Sequence, residues 1–380
     1  MGQRANKKLQ SRHFTRGMSL PEILAAVLIG LIGMIVIMQV YATSEERKRT
    51  TTGTSDAQIN GNIALFTMQR TIRSAGFGMV SADNNMLGCT TLAYNSNRPV
   101  PDFTFVMAPV VITVGAAGAP DTITVAYGSS PNVVEGLAFV SSAASGADFP
   151  LKNAAGVLAG DLVVASEPGL NCSLAEVTGF LPAAINTVQH VSGTPYSYVD
   201  GAGNTIGPAV PVYNKGGGSG VNYSANALLF SLGRSPTVVT YQIGNDKLQT
   251  KTLIPYVPAQ DSDGDGTSDA DIGDGVVQLK ALYGKDTDGD GVVDTWNNTL
   301  PVTATDWMQV RAVRVALLAR SAKFEKTAVT PAAPTWNSGT AFTMTSVANP
   351  TGVADGTDWR FYRYRVYEAV IPMRNMIWSN

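Results

Sequence analysis

An α+β fold is predicted for this 380-residue chain: a long N-terminal α-helix, transmembrane and then amphipathic, packed on an antiparallel β-rich globular head. Three observations predict it. Residues 18–40 form an apolar run interrupted only by Ser19, Glu22 and Gln39, and some 20 apolar residues suffice to cross a bilayer as a helix. Further on, Ile59, Ile63 and Phe66 recur at helical spacing, with Leu65, Met68 and Ile72 beside them. From residue 80 the chain turns to Ala, Val, Thr, Ser and Gly, in short apolar stretches divided by turn residues.

Taken in order, residues 1–17 carry Arg4, Lys7, Lys8, Arg12 and Arg16 and no acid, which orients that end toward the cytoplasm. The run 18–40 is the membrane span. Residues 41–78 are an amphipathic stalk helix, polar at first, with Gly76 and Gly78 supplying the stop. The head is 79–380. Within it 110–114, 122–126, 162–165 and 238–243 read as strands, and the glycine-rich run 215–220 as a loop. Near the end, Val313, Val315 and Leu317 alternate with Arg314, Ala316 and Leu318, and Tyr364, Val366 and Ala369 mark a second such run.

Composition narrows the function. Only 15% of residues are charged, with Gly 38 and Pro 20, a loop-rich β surface rather than that of a helical cytosolic enzyme. Without the five N-terminal basic groups, 22 basic residues face 29 acidic ones, a net of −7. That balance argues against nucleic acid as a direct partner. Arg360, Arg363 and Arg365 among Phe361, Tyr362, Tyr364 and Tyr367 read as a terminal strand with alternating faces; a nucleic-acid face is the other reading. His13 and His190 are the two histidines, too few for a His-rich zinc site. No nucleophile motif or phosphate loop accompanies them, so neither an enzyme nor a small-molecule substrate is expected. Cys89 and Cys172 follow an export signal, which predicts one disulfide; two buried free thiols is the alternative. The bridge would contribute roughly 4 kcal/mol in the chain-entropy model.

Glu22 stands out, because a carboxylate at the edge of an apolar span is costly. Sequence physics leaves two readings open: a functional acid, or a first-turn Glu favoured by the helix dipole beside Pro21. Residues 16–22, RGMSLPE, followed by an apolar helix, resemble the leader of type IV prepilins and pseudopilins. The resemblance implies that 1–17 is a cytoplasmic leader, that a prepilin peptidase cuts after Gly17, and that Met18 becomes the methylated N-terminus. It also implies that Glu22 pairs with the N-terminal amine of a neighbouring subunit during assembly. In lipid, an amine and a carboxylate are each expensive alone and tolerable together.

Two acidic runs repeat 25 residues apart, DSDGDGTSD at 261–269 and DTDGDGVVD at 286–294. Carboxylates at positions 1, 3, 5 and 9, with Gly at 6 for the sharp turn, have the spacing of a calcium loop. The expected ligands are Asp286, Asp288, Asp290, Val292 (through its carbonyl), Asp294 and Asn297, and in the first loop Asp261, Asp263, Asp265, Thr267 and Asp269. Position 12 departs from the pattern, being Ile272 in the first loop and Asn297 in the second, so neither has the bidentate Glu. The expected cofactor is Ca²⁺, in the weak range of extracellular modules; a solvated acidic turn without an ion is the alternative.

The second loop lies in the run ALYGKDTDGDGVVD (281–294), followed by Trp307 and by VRAVRVALLARS (310–321). These segments, and NIALFTMQRTIRSAGF (62–77), are similar to the PilW family of minor pilins. That resemblance implies a type IV pilin-like fold and a role in priming or tip assembly of a type IV pilus, serving twitching, adhesion or DNA uptake. The implied partners are other minor and major pilins, a tip adhesin, the prepilin peptidase and the inner membrane. The chain would then sit in the inner membrane of a Gram-negative cell before assembly and in the extracellular pilus after it. A type II secretion pseudopilin and a membrane-anchored calcium-dependent adhesin or enzyme are the alternatives.

Overall fold

The computed structural model describes residues 17, 19–79, 86–130, 132, 135–200, 202–348 and 351–377. Residues 1–16, the greater part of the expected leader, and Met18, the expected new N-terminus, lie outside them. The chain falls into two units with the boundary after Gly53. Helix α1, Leu20–Ser74, contributes to both. In the first unit Leu20–Glu45 is long and apolar enough to cross a membrane by length and composition, and none of it is buried in protein.

The second unit is β-rich. Its strands begin with β1 Thr90–Tyr94, β2 Asp102–Val106, β3 Val110–Thr113, β4 Thr122–Tyr127, β5 Leu137–Ala138, β6 Leu162–Ser166 and β7 Cys172–Glu176. They continue with β8 Leu228–Gly233, β9 Thr237–Gly244, β10 Lys247–Ile254, β11 Ser268–Asp274, β12 Val276–Lys285, β13 Thr295–Asn297, β14 Val310–Arg320 and β15 Tyr364–Pro372. Three main sheets result, ordered β2-β1-β7-β6-β8-β5, β11-β10-β9-β4-β3 and β13-β12-β14-β15, with short two- and three-stranded pieces beside them. The predicted α+β class is therefore the observed one, and each of the four strands read between residues 110 and 243 is present to within a residue or two.

The largest core lies between the C-terminal part of α1 and the five- and four-stranded sheets. The alternation read in β14 follows from its pairing with two neighbours. Val313, Val315 and Leu317 sit opposite Tyr283, Ala281 and Leu279 of β12 and opposite Ile371, Ala369 and Tyr367 of β15. That face packs into the main core with α1. The other face, Ala316 and Leu318, is covered by Trp336 and Phe342, so β14 is buried on both sides. Trp307, on the short helix α2 (Ala304–Met308), meets the Tyr283 ring edge-on at 6.0 Å, and Tyr283 Oη accepts from Ile112 N–H at 2.6 Å.

The C-terminal part of α1 packs into the core of the second unit. Of the apolar residues read in it, Met68 and Ile72 are fully buried and Leu65 packs against them, whereas the periodic trio is not part of the seam. Ile59, Ile63 and Phe66 are 54%, 49% and 68% exposed. The buried stripe is Ala57, Gly61, Ala64, Met68, Ile72 and Ala75, which at 100° per residue spans about 80° on the opposite side of the helix. Close approach is the reason. Gly61 lies against the Tyr367 ring, and Gly273 against the backbone of Asn60, so the seam accepts small residues where large ones would collide. The helix then ends as predicted: Gly76 adopts φ 76°, and Asn375 Nδ2 donates to the carbonyls of Ser74 and Ala75 at 3.2 and 3.0 Å.

The contact at Gly61 sets an expected result. A Cβ at this position would stand 2.2 Å from Cε2 of the buried Tyr367. An ordinary helical Gly→Ala change stabilises by about 1 kcal/mol. Here overpacking costs about 1–3 kcal/mol, so Gly61→Ala is expected to lower the denaturant midpoint. A raised midpoint would mean the helix does not approach this closely.

The disulfide Cys89–Cys172 is formed, with the Cα atoms 5.9 Å apart. It sits at the start of the parallel β1–β7 pairing, in which Thr91 faces Cys172 and Leu92 faces Ser173. The other pairings of that sheet are antiparallel.

Candidate metal centre

The second acidic loop joins β12 to β13, where Tyr283, Gly284 and Lys285 pair with Asn297, Trp296 and Thr295. That ladder fixes both ends of the turn. Asp286, first in the loop, is buried, and the chain wraps around its carboxylate: Oδ1 accepts from Gly289 N–H at 2.8 Å and Oδ2 from Gly291 N–H at 3.1 Å. Gly289 and Gly291 take φ of 82° and 87°, a left-handed turn that side chains disfavour. Behind Asp286, Arg311 Nε approaches Oδ2 at 3.3 Å, with neither side chain more than 8% exposed. Asp288 and Asp290 face outward. One carboxylate oxygen from each of Asp286, Asp288 and Asp290 lies within 4.8 Å of the others. Asp294 turns back on the loop, its Oδ2 accepting from Thr287 N–H at 2.6 Å and Thr287 Oγ1 at 2.7 Å. These hydrogen bonds hold the Asp294 carboxyl below the usual carboxylate range.

The first loop, between β10 and β11, repeats this pattern residue for residue. Asp261 accepts from Gly264 and Gly266 N–H at 2.8 and 3.0 Å, and Asp265 Oδ1 from Thr267 N–H at 2.8 Å, as Asp290 does from Val292 at 2.7 Å. Asp269 Oδ2 accepts from Ser262 N–H at 3.1 Å, as Asp294 does from Thr287. Asp261, Asp263 and Asp265 converge within the same 4.8 Å.

The surroundings differ. Lys251 Nζ lies 2.6 Å from Asp263, 2.9 Å from Asp265 and 2.9 Å from Asp269. Burial alone would lower the Lys251 pKa, but hydrogen bonds to Asp263, Asp265 and Asp269 outweigh it and raise it above the ordinary lysine value. Arg98, stacked over Phe103 at 4.1 Å, lies against Gly266, and burial pulls its pKa down. Tyr256 Oη donates to Asp261 Oδ2 at 2.9 Å.

Six predicted ligands are thus brought together in two triads: Asp261, Asp263, Asp265 and Asp286, Asp288, Asp290. Asp269 and Asp294 brace their own loops. Asn297 Oδ1 accepts from Thr299 N–H at 3.1 Å, a bond within its own turn. Val292 and Thr267 donate N–H groups to Asp290 and Asp265. Sequence reasoning did not find Lys251, Arg98 or Arg311. For Lys251 the signal exists only in the ladder, where it stands directly opposite Asp269. Both triads offer hard carboxylate oxygens alone, a donor set that fits Ca²⁺ rather than a soft metal.

Of the other predicted residues, Glu22 lies in the first turn of α1, where its Oε2 accepts from Ser19 N–H at 3.3 Å. Gly17 precedes the helix. His190 stacks on Phe149 at 4.2 Å and donates from Nε2 to the Ala147 carbonyl at 2.8 Å; burial holds its pKa below the ordinary value.

Residues 240–375 match the family model PilW, described as Type IV Pilus-assembly protein W. The matched stretch is a little over a third of the chain. It holds both acidic loops, the four-stranded sheet and most of β9 and all of β10 and β11, while the six-stranded sheet lies outside it. No curated protein matches the chain, and no solved structure does. Over this stretch the chain is similar to type IV pilus-assembly proteins, which points to pilus components as partners and to a structural, non-enzymatic part. With the apolar helix, it also points to membrane anchoring.

Proposed function

We propose that this chain is a minor pilin of a type IV pilus, acting in priming or tip assembly of the filament. The observation that carries the reading is the pilus-assembly match at 240–375 in a chain whose apolar helix begins three residues after Gly17. In this reading 1–17 is a cytoplasmic leader removed by a prepilin peptidase, and Met18 becomes the methylated N-terminus. The span 18–40 holds the subunit in the inner membrane until it is drawn into the extracellular pilus. Glu22, four residues beyond the new amine, offers a carboxylate to the amine of a neighbouring subunit. Each charge alone is costly in the apolar filament core, and pairing makes the two more tolerable together. The head contacts other minor pilins, major pilins and a tip adhesin.

Calcium belongs to the same reading. Asp286, Asp288 and Asp290 would hold the ion in the second loop, and the ion would neutralise charge that otherwise forces the loop open.

The test is the intact mass and N-terminal sequence of the protein recovered from bacterial membranes, with and without a prepilin peptidase. A peptidase-dependent start at N-methyl-Met18 is expected. An uncut chain, or a start elsewhere, overturns the pilin reading.

A further inference from the structure

The two acidic loops share one backbone design and differ in what neutralises them. In the first, the β10–β11 ladder sets Lys251 opposite Asp269, and the turn 261–267 folds back over the same ammonium. Lys251 is only 15% exposed by its side chain, and its Nζ is within 2.9 Å of Asp263, Asp265 and Asp269. Asp263 and Asp265 are two of the three residues whose oxygens converge there. A divalent ion would therefore need oxygens the ammonium already holds, and would sit beside two cations, Lys251 and Arg98. Like charges at such range repel strongly in a partly desolvated site.

In the second loop the cation is Arg311, and it pairs with one member of the triad, Asp286. Among the described residues no ion pair reaches Asp288, Asp290 or Asp294. Arg311 meets Asp286 from the protein side, away from the outward-facing pair. Lys285, the nearest lysine in sequence, donates to the Thr299 carbonyl at 3.3 Å and lies 5.9 Å from the Tyr283 ring centroid.

We propose that Lys251 is the resident counter-ion of the first loop, closing it without metal, and that the chain binds a single calcium ion, in the second loop. The proposal rests on the calcium reading of that second loop. Lys251 is thus the residue that decides which of two near-identical turns takes a metal.

Counting ions on the detergent-solubilised full chain by native mass spectrometry, with Ca²⁺ as the probe, tests it. Wild type is expected to hold one ion and Asp288→Asn/Asp290→Asn none. Lys251→Met, which keeps the apolar stem and removes the charge, is expected to hold two. Lys251→Arg should restore one. Two ions in wild type, one in Lys251→Met, or an ion retained by the Asp288→Asn/Asp290→Asn variant would each overturn the proposal.

If no variant binds calcium, the calcium reading fails, and amide hydrogen exchange in calcium-free buffer judges the lysine by itself. Slow exchange at Gly264, Gly266 and Thr267 in wild type, at least tenfold faster in Lys251→Met, upholds Lys251 as the lock. Equal exchange in both overturns that as well.

Discussion

Replacing Arg311 with Met is expected to lower the stability of the head by about 3–5 kcal/mol, the usual cost of leaving one member of a buried ion pair without its partner. Asp286 has no exposed side-chain surface and Arg311 8%, so solvent cannot take over the lost charge. Arg311 also donates from Nη1 to the Met376 carbonyl, and its own carbonyl accepts from Met373 N–H at 2.9 Å. The guanidinium therefore joins the base of the second loop to the segment after β15. Met keeps most of the apolar stem, so the loss reports on charge more than on packing. The double variant Asp286→Asn/Arg311→Met should regain much of the difference, because no uncompensated carboxylate remains buried. Calcium should stabilise Arg311→Met more than wild type, since the ion then supplies the remaining positive charge at Asp286. Denaturant unfolding followed by tryptophan fluorescence, with and without calcium, checks all three. A loss below about 1 kcal/mol in Arg311→Met would mean the pair is not a buried one.

Removing the disulfide with Cys89→Ala/Cys172→Ala is expected to cost about 4 kcal/mol. The bridge joins residues 83 apart in sequence, and a loop of that length loses this much entropy when closed in the unfolded chain. The local consequence is specific. β1 and β7 meet through two register pairs in a parallel junction, while β1–β2 and β6–β7 have five and four antiparallel ones. Hydrogen exchange in the double variant should therefore rise first at 90–94 and 172–176, leaving β12, β14 and β15 protected. Uniform loss of protection across the head would show that the bridge acts on the whole unit rather than on this junction.

Residue pattern carried a good deal of this. A stretch of 20 or more apolar residues has few alternatives to a helix, and period-two runs such as 313–318 have few alternatives to a strand. The spacing of Asp286, Asp288, Asp290 and Gly291 announces a wrapped oxygen-lined turn, because each position depends on its near neighbours in the chain. The disulfide was legible from compartment and cysteine count. The stalk's buried face was legible only in part. Met68 and Ile72, read as apolar positions of the helix, are buried, but the periodic trio Ile59, Ile63 and Phe66 is exposed, and the first half of the seam belongs to Ala57, Gly61 and Ala64. Size mattered there more than hydrophobicity, and size is selected by a partner, Tyr367, some 300 residues away.

What the sequence by itself determined is therefore local: the apolar helix, a handful of strands such as 162–166 and 310–320, and two turns built to gather carboxylates. The tertiary structure decided how those turns are neutralised. Lys251 reaches Asp263, Asp265 and Asp269 through strand register, and Arg311 reaches Asp286 across 25 residues. Coulombic interactions depend on distance in space, and a loop's hydrogen bonds depend on its own backbone. Two nearly identical sequences can therefore fold into the same turn and still meet different charges.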